Sequence, residues 1–431
     1  MQGSASAAKS QRSEFVVISG DFDGCLSGIY LPYQLFLRLA TPSQQFVDYF
    51  ITQLNTQQTV TSATANEPLK AKQNRFLEDA RHTIHEWMQG CVDDNIENPN
   101  SSDRTKTTAK KVPLSRDAIY KALCQAYLEK NQLTYFLLFS EFGKQIIETV
   151  DSHPCQLMIG SARQNLSLDF VNRLANWNNF HQCESGSVFT FIQRLNEALA
   201  GLGLQTSINK TTMEDVWHEQ KIGTEFDRVC RVNEGRRYFC TRSELFEQND
   251  AHQNKNPTPY FDDSKITLLY MQCHTIAQAH PNENVVFHFY DDRPDICYAL
   301  QTAFSEHPEL LPRNVRLQIH HYDTHNPDSS LTRALDDNKP LEHLSCTDGS
   351  NIPLNTIQGT GELDTNLAQN VKALLINIRW VEQRTPIKVL KSKNKEIAAV
   401  RERFVRNLNL ALNNFINPPP PAPSQAPHYQ P

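Results

Sequence analysis

The sequence predicts an α/β fold of three layers, with helices on both faces of a parallel sheet, a large helical insertion and a helical C-terminal extension. Three observations carry this. Four short runs rich in Val, Ile, Leu and aromatic residues, FVVIS before Asp21, QLMIG before Ser161, NVVFHFY before Asp291 and VRLQIHHY before Asp323, read as strands covered on both faces. Segments of helical periodicity separate them, as parallel strands require. Each run ends in a polar residue at the carboxyl end of its strand, where open α/β sheets bind their ligands.

Taken in order, residues 1–13 are polar and predict a disordered N-terminus, and residues 14–35 open the core with the first strand and the turn DFDGCLS. Residues 36–149 carry QQFVDYFITQL, FLEDARHTIHEWMQ and SRDAIYKALCQAYLEK, too much chain for a simple crossover, and predict a helical cap over the site. Within it, NIENPNSSDRTKTTAKK has little to bury and predicts a mobile loop. Residues 150–330 complete the core. Residues 331–363 read as irregular, with turn signals in LSCTDGSNIPLN and GTGE. The C-terminal extension, 331–416, then holds two helical stretches, DTNLAQNVKALLINIRWVEQ and IKVLKSKNKEIAAVRERFVRNLNLALNNFI. The Lys and Arg of the second read as the solvated face of a packed helix, with a membrane surface or a partner protein as the alternative. The proline-rich tail, 417–431, predicts an unfolded segment.

Composition bounds the function classes. The formal net charge of −6 gives no global footprint for nucleic acid. The ten cysteines never form C-x-x-C, so neither a zinc site nor a compact disulfide framework is signalled, and free thiols in a reducing compartment are the simplest reading. No stretch approaches the roughly 20 apolar residues a membrane span requires, and MQGSASAAKSQRSEF lacks the apolar centre of a secretory signal. The expectation is a soluble protein, cytoplasmic where it is made.

The chemistry gathers at the strand ends. Side chains two apart on a strand share a face, so Asp21 and Asp23 point into one pocket while Phe22 turns back into the core. Two carboxylates so close ionise together only with a cation between them, and otherwise one keeps a proton; either outcome serves phosphoryl transfer. A capped turn is the bland alternative, and a calcium loop is disfavoured because no Glu stands at the twelfth position counted from Asp21. Ser161 reads as a phosphate-binding hydroxyl or as a helix cap. Arg163 and Gln164 follow it within reach of a substrate, with a surface salt bridge as the alternative for Arg163. Lys265 opens the helix KITLLYMQCHTIAQ that leads into the Asp291–Asp292 strand, and Lys221 is its competitor. The Asp291–Asp292 pair ends so apolar a strand that it must be solvated or metal-bound. Cys25 reads as packing.

In this order, DFDGCLS after FVVIS, Ser161 after LMIG, Lys265 and the DD pair after VVFHFY resemble the four motifs of the haloacid dehalogenase-like (HAD) superfamily. The resemblance covers residues 14–35 and 150–325 and implies a Rossmann-like core and a magnesium-dependent phosphatase. It implies that Asp21 is the nucleophile that becomes an aspartyl-phosphate and that Asp23 is the general acid and base. Ser161 would hydrogen-bond the phosphoryl group, with Arg163 as a further phosphate-binding candidate beside it, and Lys265 would neutralise Asp21 and the phosphate. Magnesium would be bound by Asp21, the backbone carbonyl of Asp23, and one or both of Asp291 and Asp292. Gly20 and Cys25 depart from the usual residues at their positions without removing a catalytic group. The partner implied is a phosphorylated substrate of unstated class. The alternatives are a non-catalytic HAD-fold binding protein and a phosphotransferase. GSARQNLSLDF, GTEFDRV, DDSKITLLYMQ and YDDRPDI further resemble HAD-like type IV secretion effectors of intracellular bacterial pathogens. That implies translocation to host cytosol, with a host protein or membrane surface meeting the C-terminal region.

Overall fold

The computed structural model describes residues 13–26, 141–150, 153–169, 187–234, 261–323, 350–390 and 397–418. They form an α/β fold on a mixed, mostly parallel sheet, compatible with a Rossmann-like core. The strands are β1 (Glu14–Gly20), β2 (Cys155–Ile159), β3 (Thr206–Ile208), β4 (Asn284–Asp291), β5 (Val315–Asp323), β6 (Ser350–Pro353) and β7 (Ile357–Gln358). Their order is β3-β2-β1-β4-β5-β6, with β7 also paired to β5. Strands β1 to β5 are parallel, whereas β6 and β7 run antiparallel to β5.

All four strands expected from the sequence are present. Their β-branched and aromatic residues suit a pleated surface buried on both sides, and β1 is buried from Phe15 to Gly20. Three strands escaped the reading. β3 and β7 are only three and two residues long, too short for a hydrophobic pattern. β6 is SNIP, an edge strand whose proline and polar residues carry no strand signal. The expectation that 331–363 is irregular is therefore corrected: its described part, from residue 350, hooks back onto β5.

The helices are α1 (Glu141–Val150), α2 (Val188–Gly201), α3 (Met213–Trp217), α4 (Thr224–Glu234), α5 (Ile266–Ala279), α6 (Pro294–Glu306), α7 (Leu367–Arg384), α8 (Ile387–Leu390) and α9 (Ile397–Ile416). Helix α5 is buried almost all round, which explains its weak amphipathic pattern. It packs with Phe287, Phe289, Leu317 and Ile319 of the sheet in one apolar core. Val371, Leu374, Ile378 and Val381 of α7 and Phe404, Leu408 and Leu412 of α9 join that same core. The two C-terminal helices are thus part of the body that holds the sheet. The expected helical insertion lies outside the described residues except for α1, as do the N-terminus before residue 13 and the tail beyond residue 418.

The strand order fixes where a site can form. From β1 the chain moves to β2 and β3 on one side, then returns to build β4 and β5 on the other. The order therefore reverses between β1 and β4, and the crevice at their carboxyl ends is the place where such sheets receive ligands.

Candidate functional site

Register delivers two carboxylates to that crevice. Gly20 pairs with Tyr290 of β4 and Ile159 of β2, so the residues that follow, Asp21, Asp291 and Gly160, emerge side by side. The Asp21 N–H donates to the Tyr290 carbonyl at 2.8 Å, which keeps β1 zipped to β4 up to the last residue before the turn. The strand ends at Gly20, and Phe22–Leu26 forms a π-helical turn closed by the Leu26 N–H on the Asp21 carbonyl at 3.0 Å. Strand alternation therefore does not place Asp23, contrary to the sequence expectation, and the Asp23 side chain lies outside the described residues. Phe22 does turn inward, edge-on to Phe191 with ring centroids 5.5 Å apart.

Between the carboxylates stands Lys265. Its Nζ lies 2.9 Å from Asp21 Oδ1 and 2.7 Å from Asp291 Oδ2, and all three side chains are nearly removed from solvent. Burial alone would push the Lys265 ammonium toward losing its proton, but the charges of Asp21 and Asp291 outweigh burial and raise its pKa. For Asp291, burial raises the pKa to about 6 against the opposing pull of Lys265. Asp291 Oδ1 also accepts the Arg293 N–H at 2.9 Å. The competing Lys221 is exposed.

Lys265 reaches this position from a conformation that L-residues avoid, φ 59° and ψ 16° at the start of α5. The preceding turn holds it there. Asp262 Oδ2 accepts from Ser264 Oγ at 2.8 Å, from the Ile266 N–H at 2.9 Å and from the Thr267 N–H at 3.3 Å, so Asp262 caps the helix four residues ahead of its first turn. The sequence reading missed Asp262, although an acid just before a helical run is a recognised start signal.

Carboxylate oxygens of Asp21, Asp291 and Asp292 lie within 4.8 Å of one another. Three carboxylates against one ammonium leave a formal charge of −2 (−3 + 1) when all are ionised. An all-oxygen donor set of that charge fits a hard divalent cation such as magnesium. Soft ligands do not compete. The Cys25 thiol is pushed well up by burial and then by Asp292, Asp291 and Asp21, so it stays protonated, in keeping with a packing role.

Ser161 follows β2 across a very close strand contact. The Gly160 N–H donates to the Gly20 carbonyl at 2.9 Å, and a Cβ on Gly160 would stand 2.8 Å from that carbonyl carbon. Ser161 and Arg163 are both buried. The Arg163 guanidinium lies over the Phe22 ring at 4.6 Å and beside Asp169 at 3.8 Å. Gln164 is spent on structure: its amide donates to the Ile159 and Ser161 carbonyls, and its oxygen accepts the Met213 N–H. A surface salt bridge for Arg163 and a substrate contact for Gln164 are thereby replaced by inward packing. Gln272 of α5 also escaped notice; it bonds Ser19 Oγ and the Ile159 carbonyl, tying the Lys265 helix to β1 and β2.

Comparison with family models, curated proteins and solved structures returns no match for this chain. Among the described residues, no helix is long and apolar enough to cross a membrane.

Proposed function

We propose that this chain is a magnesium-dependent phosphatase of the HAD kind that works through an aspartyl-phosphate on Asp21. The observation that carries the reading is the Asp21–Lys265–Asp291 arrangement at the strand-order reversal, with contacts of 2.9 and 2.7 Å. Three sequence segments, each singled out for phosphoryl chemistry, meet there.

In the first step a carboxylate oxygen of Asp21 attacks phosphorus and the bond from phosphorus to the ester oxygen breaks. Asp23 gives its proton to the departing oxygen. In the second step water attacks phosphorus while Asp23 takes back a proton, and the bond to Asp21 breaks to release inorganic phosphate. Splitting one displacement into two lowers each barrier. The Lys265 ammonium offsets the charge of Asp21 and of the incoming phosphoryl oxygens in a site with little water, where such an offset is strongest. Asp291 holds Lys265 in place, the Ser161 hydroxyl orients the phosphoryl group, and Arg163, stacked on Phe22 and beside Asp169, supports the turn after Asp21 from inside. Magnesium would be held by Asp21, the backbone carbonyl of Asp23 and one or both of Asp291 and Asp292, and would supply further charge neutralisation.

The test is hydrolysis of an aryl phosphate with magnesium by wild type and Asp21→Asn. Loss of the nucleophile is expected to lower kcat by at least about 10³-fold. Equal rates would remove the assignment. A folded wild type inactive across a broad panel of phosphate esters would favour the non-catalytic binding reading, and transfer to an added alcohol in preference to water would favour a phosphotransferase.

A further inference from the structure

Lys265 is held from two sides, and one of them is remote in sequence. From within its own turn, Asp262 accepts three hydrogen bonds and its carbonyl accepts the Lys265 N–H at 3.2 Å. From outside, helix α7 reaches the same turn at successive points. Glu382 Oε2 accepts the Asp263 N–H at 3.1 Å and Glu382 Oε1 accepts the Ser264 N–H at 2.8 Å. One helical turn earlier, Arg379 Nη1 donates to the Phe261 carbonyl at 3.0 Å. The N–H groups of residues 263 and 264 precede α5, where orphan donors collect and need an acceptor. Glu382 supplies both acceptor oxygens, fork to fork.

A residue in the left-handed region persists only when its surroundings over-determine it. Without the Glu382 fork, what remains on the turn among the contacts described is its internal capping by Asp262 and the Arg379 bond to the Phe261 carbonyl. Lys265 is the first residue whose side chain would respond, because its backbone lies directly after the gripped amides.

We propose that Glu382 is a positioning residue for Lys265: by clamping the 263–264 amides, the C-terminal helix α7 sets the ammonium between Asp21 and Asp291. The role of Lys265 in turnover rests on the phosphatase reading, whereas the clamp itself does not. The C-terminal region is then a working part of the site through the backbone that it grips.

Two measurements separate these layers. The first is competitive amine labelling of the full chain, read by mass spectrometry at Lys265, with Lys210 and Lys372 as internal controls. Local opening of the turn in Glu382→Ala should raise Lys265 labelling by about tenfold while both control lysines keep their wild-type rates. Glu382→Gln, which retains one acceptor oxygen, should fall between and also covers the case in which the alanine variant fails to fold. Wild-type labelling of Lys265 in a folded variant would overturn the proposal, as would an equal rise at all three lysines. The second is steady-state hydrolysis. A displaced ammonium should lower kcat by about 10- to 100-fold with KM changed far less, and Glu382→Gln should restore part of kcat. A rise in KM alone would overturn the link to Lys265. A wild type without turnover would remove the phosphatase reading and leave the labelling result to decide the clamp.

Discussion

Replacing Lys265 by Met tests the buried ion triad without reference to any substrate. The substitution keeps the length and most of the volume of the side chain, so packing changes little. It leaves Asp21 and Asp291, contacted at 2.9 and 2.7 Å in the wild type, without their shared cation. Removing one partner of a buried pair costs about 3–5 kcal/mol, and that cost should depend on pH in a fixed direction. Asp291 already sits up at about 6, above its ordinary 3.8, because burial outweighs Lys265. Without Lys265 its pKa rises further. A carboxyl whose folded pKa is raised holds a proton that the unfolded chain releases, so its stabilising contribution is present at low pH and lost as pH rises through the folded value. The variant should therefore be weakened by about 3–5 kcal/mol at pH 8 and by less at pH 5, where Asp291 escapes the penalty by protonation. Urea denaturation of both proteins at the two pH values, in the absence of divalent ions, reads this directly. Magnesium added at pH 8 should recover part of the loss, since a divalent cation replaces the missing charge. A deficit equal at both pH values, or below about 1 kcal/mol at pH 8, would refute the buried triad.

The two glycines at the strand ends should differ in how much a methyl group costs. A Cβ on Gly160 would meet the Gly20 backbone at 2.8 Å and the Phe289 ring at 2.9 Å, so Gly160→Ala should cost about 1–3 kcal/mol by wedging β2 from β1; thermal unfolding at the wild-type midpoint would sink that account. Gly20→Ala meets only the Leu26 side chain, at 3.1 Å, and should be the milder of the pair. On the opposite face of the sheet, His288 Nδ1 lies 2.9 Å from His320 Nε2, and His320 Nδ1 lies 3.1 Å from Asn351 Oδ1. Burial, then His320 and Arg316, pushes His288 down to about 3, and burial pushes His320 down to about 4. Their folded pKa values are depressed, so the unfolded chain binds more protons between those values and about 6.5. Stability should fall as pH drops through that window, and His288→Gln should flatten the slope; an unaltered slope would show that this pair does not titrate on unfolding.

What the sequence shows and what it hides divide along physical lines. β1 and β4 were legible because a strand buried on both faces is nearly continuous in apolar residues, and β5 because Val315, Leu317 and Ile319 alternate with the exposed Arg316 and half-buried Gln318; the polar endings of β1 and β4 then pointed to Asp21, Asp291 and Asp292. Lys265 was legible only as the start of a helix leading into β4; the choice against Lys221 rested on order along the chain. The turn after β1 was misread because alternation assumes that the strand continues, whereas Phe22–Leu26 is helical. Nothing local reports that the backbone changes form at Gly20. β6 and β7 were hidden because edge strands of two to four residues are stabilised by the neighbour they meet, which is β5, and not by a pattern of their own.

The same distinction explains why the groups that support the site escaped notice while the groups that compose it did not. Reactive side chains must end strands at the point where the sheet order reverses, so they inherit the strong strand signal beside them. Gln272, Asp262 and Glu382 sit within or beside helices, where polar residues are ordinary, and each gains meaning only from a backbone group brought to it by folding: the Ile159 carbonyl for Gln272, the Ile266 N–H for Asp262, the Ser264 N–H for Glu382. Two of these three partnerships, those of Gln272 and Glu382, span more than a hundred residues of chain. A left-handed lysine held between two buried carboxylates is costly to maintain, and the acceptors that over-determine its backbone come from its own turn and from α7. Helix α7 thus supports the crevice indirectly, through the Lys265 turn, where β1 and β4 supply its carboxylates directly. Removing residues 367–416 should therefore disturb the Lys265 turn together with the core that α7 and α9 share with the sheet.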